Sequence, residues 1–293
     1  MILMRHSIAS YLLLSLFGLG LTLGCSTTSP PSQSVKPPVS GPEAIKVSAR
    51  VGWLPQQING DRKYFIHDSL MVSINTDTSQ YRSSETSIFY SIRVSHSNDS
   101  LLLMTKVDSL LMISQFPSLK VPVNVDTVRE FQTIMSPTGQ LFLLSQDSTS
   151  VCPSGVTPLA VRIYEMMISY PKRALKVGDS WTDTVSMIVC RGKIPLQQHA
   201  VRNYRILDFT TWKQLPAVSI RRIISSVLSA DSKDKRNHYE VAGSGESSTL
   251  IYANQATGVL LQSDTKSESA ITIHSSRGVF PFRQITSTHI ELR

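Results

Sequence analysis

The chain has 293 residues, 41% of them apolar and 7% aromatic, with a formal charge of +8 and a pI near 9.5. That is the composition of an ordinary globular protein with enough apolar side chains for a large core, and it excludes a wholly disordered chain. The basic excess suits anionic lipid headgroups or nucleic acid. However, the visible clusters, YPKRALK from Tyr170 and DSKDKRNH from Asp231, are mixed with turn residues and acids and read as solvated loops, so no nucleic-acid partner is expected.

Met1 to Gly24 places Arg5 and His6 before IASYLLLSLFGLGLTLG, a run without charge. A basic start, an apolar stretch and small residues at the end form the layout of an export signal, and the run is short for a membrane span. LTLGC, Leu21 to Cys25, resembles the lipobox of bacterial lipoproteins, with Thr22 where leucine is usual. The resemblance implies that Cys25 is the lipid attachment site and first residue of the mature chain, and that Ser26 after it directs the protein to the outer membrane, facing the periplasm or the surface. Cleavage by an ordinary signal peptidase and an uncleaved amphipathic anchor are the alternatives. Acylation would hold the chain to a membrane with about 0.8 kcal/mol per buried methylene.

Residues 25–45 continue as STTSPPSQSVKPPVSGPEAI after the cysteine, with five prolines and no aromatic residue. Such a stretch cannot recover the entropy of ordering and reads as a disordered tether. Its 20 residues from Ser26 to Ile45 reach roughly 65 Å when extended. Residues 46–293 are expected to form one β-rich domain. Removing the first 24 of 293 residues leaves 269, with 28 basic and 21 acidic side chains once Arg5 is gone, a charge of +7.

In ETSIFYSIRVSH, Ile88, Tyr90, Ile92 and Val94 alternate with Phe89, Ser91, Arg93 and Ser95, the period of a half-buried strand. DTVSMIV sets Val185, Met187 and Val189 against Thr184, Ser186 and Ile188. AVSIRRIISSVL sets Val218, Ile220, Ile224 and Leu228 against Ser219, Arg221 and Ser225, with Arg222 intruding on the apolar side. About a dozen such segments between Tyr64 and Leu292, joined by short polar turns, predict an antiparallel sheet. SPTGQLFLLS from Ser136 and NQATGVLLQS from Asn254 share Thr-Gly-x-Leu, each a hairpin with glycine at positive φ. With HDSLMVSI from His67 and GDSWTDTVSMIV from Gly178 upstream, they suggest repeated β-meanders over 64–145 and 179–266; coincidence is the alternative.

Between these halves lies one helix signal. Thr157 can cap, Pro158 can take the first helical position, and Ile163, Met166, Met167 and Tyr170 follow at helical spacing until Pro171. A Met-bearing stripe of this kind packs on a sheet or faces a ligand. With Cys25 acylated, Cys152 and Cys190 are an even pair in an oxidising compartment and are expected to form a disulfide, stabilising by about 4 kcal/mol for a loop of about 39 residues. Two separate buried thiols are the alternative.

Pro171, the VGDSW of Val177 to Trp181, and GSGESSTLIYANQATGVL from Gly243 resemble an uncharacterised family of bacterial envelope lipoproteins, a domain of unknown function. The resemblance implies a mainly β fold, broadly like the β-clam group, in which a curved antiparallel half-barrel is lined by helices and binds acyl chains. It brings no catalytic residues.

Chemistry is otherwise thin. No histidine pair has H-x-x-x-H spacing and no C-x-x-C occurs, so no metal or cofactor is expected. SYPK at Ser169 is broken by proline, and SDTK at Ser263 lies in a strand; neither supplies the helical S-x-x-K of penicillin-recognising enzymes. GSGES at Gly243 is no nucleophile elbow and reads as a glycine-relieved strand or bulge. The sequence therefore predicts a non-catalytic envelope lipoprotein with a curved antiparallel sheet and one packed helix. Its expected partners are the membrane, through the lipid anchor, and a lipid or amphiphile in the sheet's concavity near Ile163, Met166, Met167 and Tyr170. A structural or assembly component with an envelope protein partner is the alternative, and a hydrolase with scattered residues the second.

Overall fold

The computed structural model describes residues 60–74, 80–97, 100–116, 119–122, 130–136, 141–146, 161, 165–191, 194–232, 239–276 and 278–293. The signal segment, the tether, Cys25, Cys152 and Ile163 lie outside them, and with Cys152 so does its pairing with Cys190.

Twelve strands make up nearly all of the described chain: β1 Gly60–Ile74, β2 Gln80–Ser97, β3 Ser100–Phe116, β4 Leu119–Pro122, β5 Glu130–Met135, β6 Leu141–Gln146, β7 Ser180–Arg191, β8 Ile194–Trp212, β9 Leu215–Ser232, β10 Tyr239–Asn254, β11 Leu260–Ser275 and β12 Gly278–Leu292. They form one antiparallel sheet in the order β6-β5-β3-β2-β1-β12-β11-β10-β9-β8-β7, with β4 beside β3. Apart from β4, the strands of the first half and those of the second are each wound in chain order. β1 pairs with β12, so the first and last strands meet inside the sheet and β6 and β7 are its edges. The sheet is not closed into a barrel. Among the described residues no helix is long and apolar enough to cross a membrane.

The alternation in the sequence sets the faces. Ile88, Tyr90, Ile92 and Val94 are buried while Phe89 stands on the outer face, and Val218, Ile220, Ile224 and Leu228 are buried with Arg222 among them. The inner face is also curled. Tyr90 on β2 donates its hydroxyl to Met166 Sδ at 2.7 Å, and Arg222 on β9 donates to the carbonyl of the adjacent Glu165. β2 and β9 are five strands apart, about 24 Å in a flat sheet. Two neighbouring residues are held from both sides only if the sheet wraps around them. Bulges at Asp108 in β3, Leu207 in β8 and Leu261 in β11 add local bend and twist.

The core sits where residues 165–175 fill this concavity. Met166, Met167, Ile168, Tyr170 and Leu175 are buried against Tyr64, Ile66, Tyr90, Tyr204, Ile220 and Leu260. Tyr170 donates to the carbonyl of Gly258 at 3.1 Å, and Trp181 donates from its indole to that of Ser169 at 2.5 Å while stacking on Tyr204. The helix expected to run to Tyr170 ends earlier. Val161, Glu165 and Met166 are helical, but Met167 to Tyr170 are not. Proline disfavours helix in the residue before it, and the irregular backbone lets Met167, Ile168 and Tyr170 all enter the core rather than one stripe of them. The turn before β7 then forms as Asp179 N–H donates to the Lys176 carbonyl, with Gly178 at φ 88°.

Candidate functional site

The register orders the inner face into bands. One row across the sheet reads Ile88, Ile66, Ile290, Ser263, Ile251, Ile220 and Ile206. The next reads Thr86, Asp68, Thr288, Thr265, Thr249, Arg222 and Tyr204, and the one beyond it Ser84, Leu70, Thr286, Ser267, Ser247, Ile224 and Arg202. A row of small residues follows, Ser269, Gly245, Ser226 and Ala200, before apolar contacts return at Leu196, Leu228, Val241 and Ile271. A buried polar band therefore separates two apolar ones.

Hydrogen bonds run along this band. Thr288 donates to Asp68 Oδ1 at 2.6 Å; Thr249 Oγ1 accepts from Thr265 at 3.0 Å and from an Arg222 Nη at 3.4 Å. Arg202 and Arg222 are 3% and 4% exposed, and on paired strands they sit diagonally, since Arg202 faces Ile224 and Tyr204 faces Arg222. Arg202 is ion-paired to Asp183, directly opposite it on β7. Burial lowers the pKa of the Arg222 guanidinium from its ordinary value; the charge of Arg202 acts in the same direction, while Tyr204 and Glu165 oppose it.

A cavity of about 40 Å³ opens between Glu165 and this wall, with Arg202, Arg222, Gln198, Ser247 and Ser267 among its lining residues. Several buried polar atoms there or beside it lack a hydrogen-bond partner in the protein: Arg222 Nε, Gln198 Oε1, and the hydroxyls of Ser226 and Ser269. Buried polar groups are normally satisfied, and these four atoms, each closed off from open space, are exceptions to that rule.

Met166, Met167 and Tyr170 do reach the concavity, where they pack against the sheet, with a smaller void of about 20 Å³ beside Met166 and Met167. Arg222 announced itself in the sequence as a break in the alternation of β9. Arg202 did not, because HAVRNYRI reads as polar residues on either face until pairing with β9 fixes the side. Serine and histidine meet at Ser186 with His199, 2.8 Å, and at Ser87 with His67, 3.2 Å. Both pairs join neighbouring strands on the outer face, and neither lines the cavity beside Arg222 or the void beside Met166. Among the described residues there is no group of three or more His, Cys, Asp and Glu arranged to hold a metal ion.

No protein-family model matches this chain, and no curated protein matches it. Three similar solved structures have very low identity to this chain. A DUF1329 family protein from Desulfovibrio piger ATCC 29098 is 8% identical, with 82% of this chain and 87% of that one covered at a TM-score of 0.17. A putative outer membrane lipoprotein-sorting protein domain from Vibrio parahaemolyticus is 10% identical over 78% and 84% of the two chains, TM-score 0.16. An outer membrane channel from Pseudomonas putida F1 is 7% identical over 87% and 100%, TM-score 0.24. Likeness at these TM-scores carries nothing about what the chain does.

Proposed function

We propose that the protein is a non-catalytic lipoprotein of the cell envelope, anchored to a membrane through Cys25 and its Ser/Pro tether, that receives an amphiphile on the inner face of its sheet. The observation that carries this reading is the banding of that face, where two buried arginines and rows of hydroxyls lie between apolar rows. An amphiphile has the same division of polar head and apolar tail. The open volumes of about 40 and 20 Å³ admit a head group and not an acyl chain, so a tail enters only if the segment from Met166 to Tyr170 gives way.

That same filling favours a second reading, a structural or assembly component whose concavity is plugged by its own Met166, Ile168 and Tyr170. Its outer face exposes Met71, Phe89, Leu111, Ile223, Val227 and Ile285, which a protein partner would cover. Native mass spectrometry with lipid extraction, on Ser26–Arg293 exported to a periplasm, separates the two. A co-purifying lipid at one per chain supports the amphiphile reading, and an empty, monodisperse protein overturns it in favour of the second. Anchoring is tested by radioactive palmitate: Cys25→Ala should abolish labelling, and unchanged labelling refutes the lipid attachment.

A further inference from the structure

We infer that the cavity beside Arg202 and Arg222 is an oxyanion site that takes a phosphate-class group, the head of an anionic amphiphile or a free phosphate. The inference deepens the reading above, but it stands on separate chemistry. The two guanidiniums lie on adjacent strands on one wall of one cavity, nearly out of water, where like charges repel. Asp183 offsets Arg202 from the neighbouring edge strand β7 and is not among the cavity's lining residues. An oxyanion between the arginines relieves the repulsion and accepts charge-assisted hydrogen bonds from both.

The remaining wall suits the same group. Ser247 presents a hydroxyl and Gln198 an amide, each able to donate to an anionic oxygen, while the Ser267 hydroxyl already donates to the Thr286 carbonyl at 3.4 Å. The 40 Å³ of space holds about three waters, the room of one tetrahedral oxyanion. The single carboxylate among the lining residues is that of Glu165, whose backbone carbonyl Arg222 already holds. Glu165 competes with an incoming anion, and this makes its removal informative.

The test is calorimetric titration of the Ser26–Arg293 chain with inorganic phosphate, dodecyl phosphate, dodecyltrimethylammonium and dodecyl maltoside. Dodecyl phosphate should bind and the cationic amphiphile should not. Arg222→Met should weaken the phosphate-headed ligand about tenfold to a hundredfold. Glu165→Gln should tighten it by about threefold to tenfold. If Arg222→Met does not fold, Ser247→Val, which fills the cavity with methyl groups, should abolish binding in its place. Binding of inorganic phosphate as well identifies the free ion as sufficient; binding of dodecyl phosphate alone identifies a lipid head. Should phosphate bind while no amphiphile does, the oxyanion site stands and the amphiphile reading falls. Equal binding of all three amphiphiles, unmoved by Glu165→Gln, overturns the oxyanion site and leaves the amphiphile reading. No binding by any probe overturns both.

Discussion

Thr288 donates its hydroxyl to Asp68 across 220 residues of sequence, at 2.6 Å in the buried interior. The bond crosses the seam between β1 and β12, the pairing that, among the described residues, joins the two halves of the chain along the sheet order. Replacing the hydroxyl by a methyl in Thr288→Val removes a hydrogen bond to a buried carboxylate at nearly constant volume. The expected cost is about 1.5–3 kcal/mol by urea unfolding. Thr182→Val, which removes an exposed bond to Asn203, should cost under about 0.5 kcal/mol. Equal effects at the two sites would show that the seam bond has no special place in stability.

Gly243 sits in β10 opposite Ile271, and a Cβ there would lie 3.0 Å from Ile271 Cγ1 and 3.1 Å from the Ala270 carbonyl oxygen. Glycine within a strand is ordinarily improved by alanine, by roughly 0.5–1 kcal/mol. Here the sign should reverse, because a backbone oxygen cannot step aside. Gly243→Ala should destabilise by about 1–3 kcal/mol. A variant as stable as the parent would mean that β10 and β11 separate more easily than their packing implies.

The sheet was legible in the sequence because period-two alternation needs no knowledge of partners: Ile88 to Val94 on β2 and Val218 to Leu228 on β9 declare their buried sides locally. Residues 243–247, read as a relieved strand or a bulge, are the former, since the β10 register runs unbroken there and shifts only after Tyr252. The polar band was not legible. Asp68, Thr288, Thr265 and Thr249 come from four strands, and only their register makes them one row. Serines and threonines in a strand look the same whether they face solvent or a buried cavity. Helical spacing misled at Tyr170, where the spacing from Ile163 is helical and the backbone is not.

The turn between β8 and β9 has Lys213 and Gln214 at φ 45° and 71°, where hairpins of two residues favour Asn-Gly. Lys213 is committed, since it is ion-paired to Glu291 and lies over the Trp212 ring at 4.5 Å. Gln214→Gly leaves those contacts and removes a left-handed strain of about 1–2 kcal/mol, partly offset by the freedom glycine adds to the unfolded chain. A net gain of about 0.5–1 kcal/mol should raise the melting temperature by about 1–4 °C. A lower melting temperature would show that the turn does not hold Gln214 in the left-handed region in solution.

Three buried phenols set the behaviour at high pH. Burial pushes the Tyr64 hydroxyl up to about 12, and burial first, then a neighbouring tyrosine, holds Tyr90 and Tyr170 well above the ordinary value. The folded state keeps these protons above about pH 10, where an unfolded tyrosine loses them. Stability from this source is therefore full below about pH 10 and falls as pH rises towards about 12, by about 1.4 kcal/mol per pH unit for each such group. Guanidinium midpoints measured up this range should fall steeply, with tyrosinate absorbance appearing together with loss of the sheet's circular dichroism. Tyr64→Phe, which gives up a 3.2 Å bond to the Leu260 carbonyl, should be less stable at neutral pH and show a shallower alkaline slope. If tyrosinate forms while the sheet signal persists, these phenols are reached by hydroxide in the folded protein and the concavity opens without unfolding.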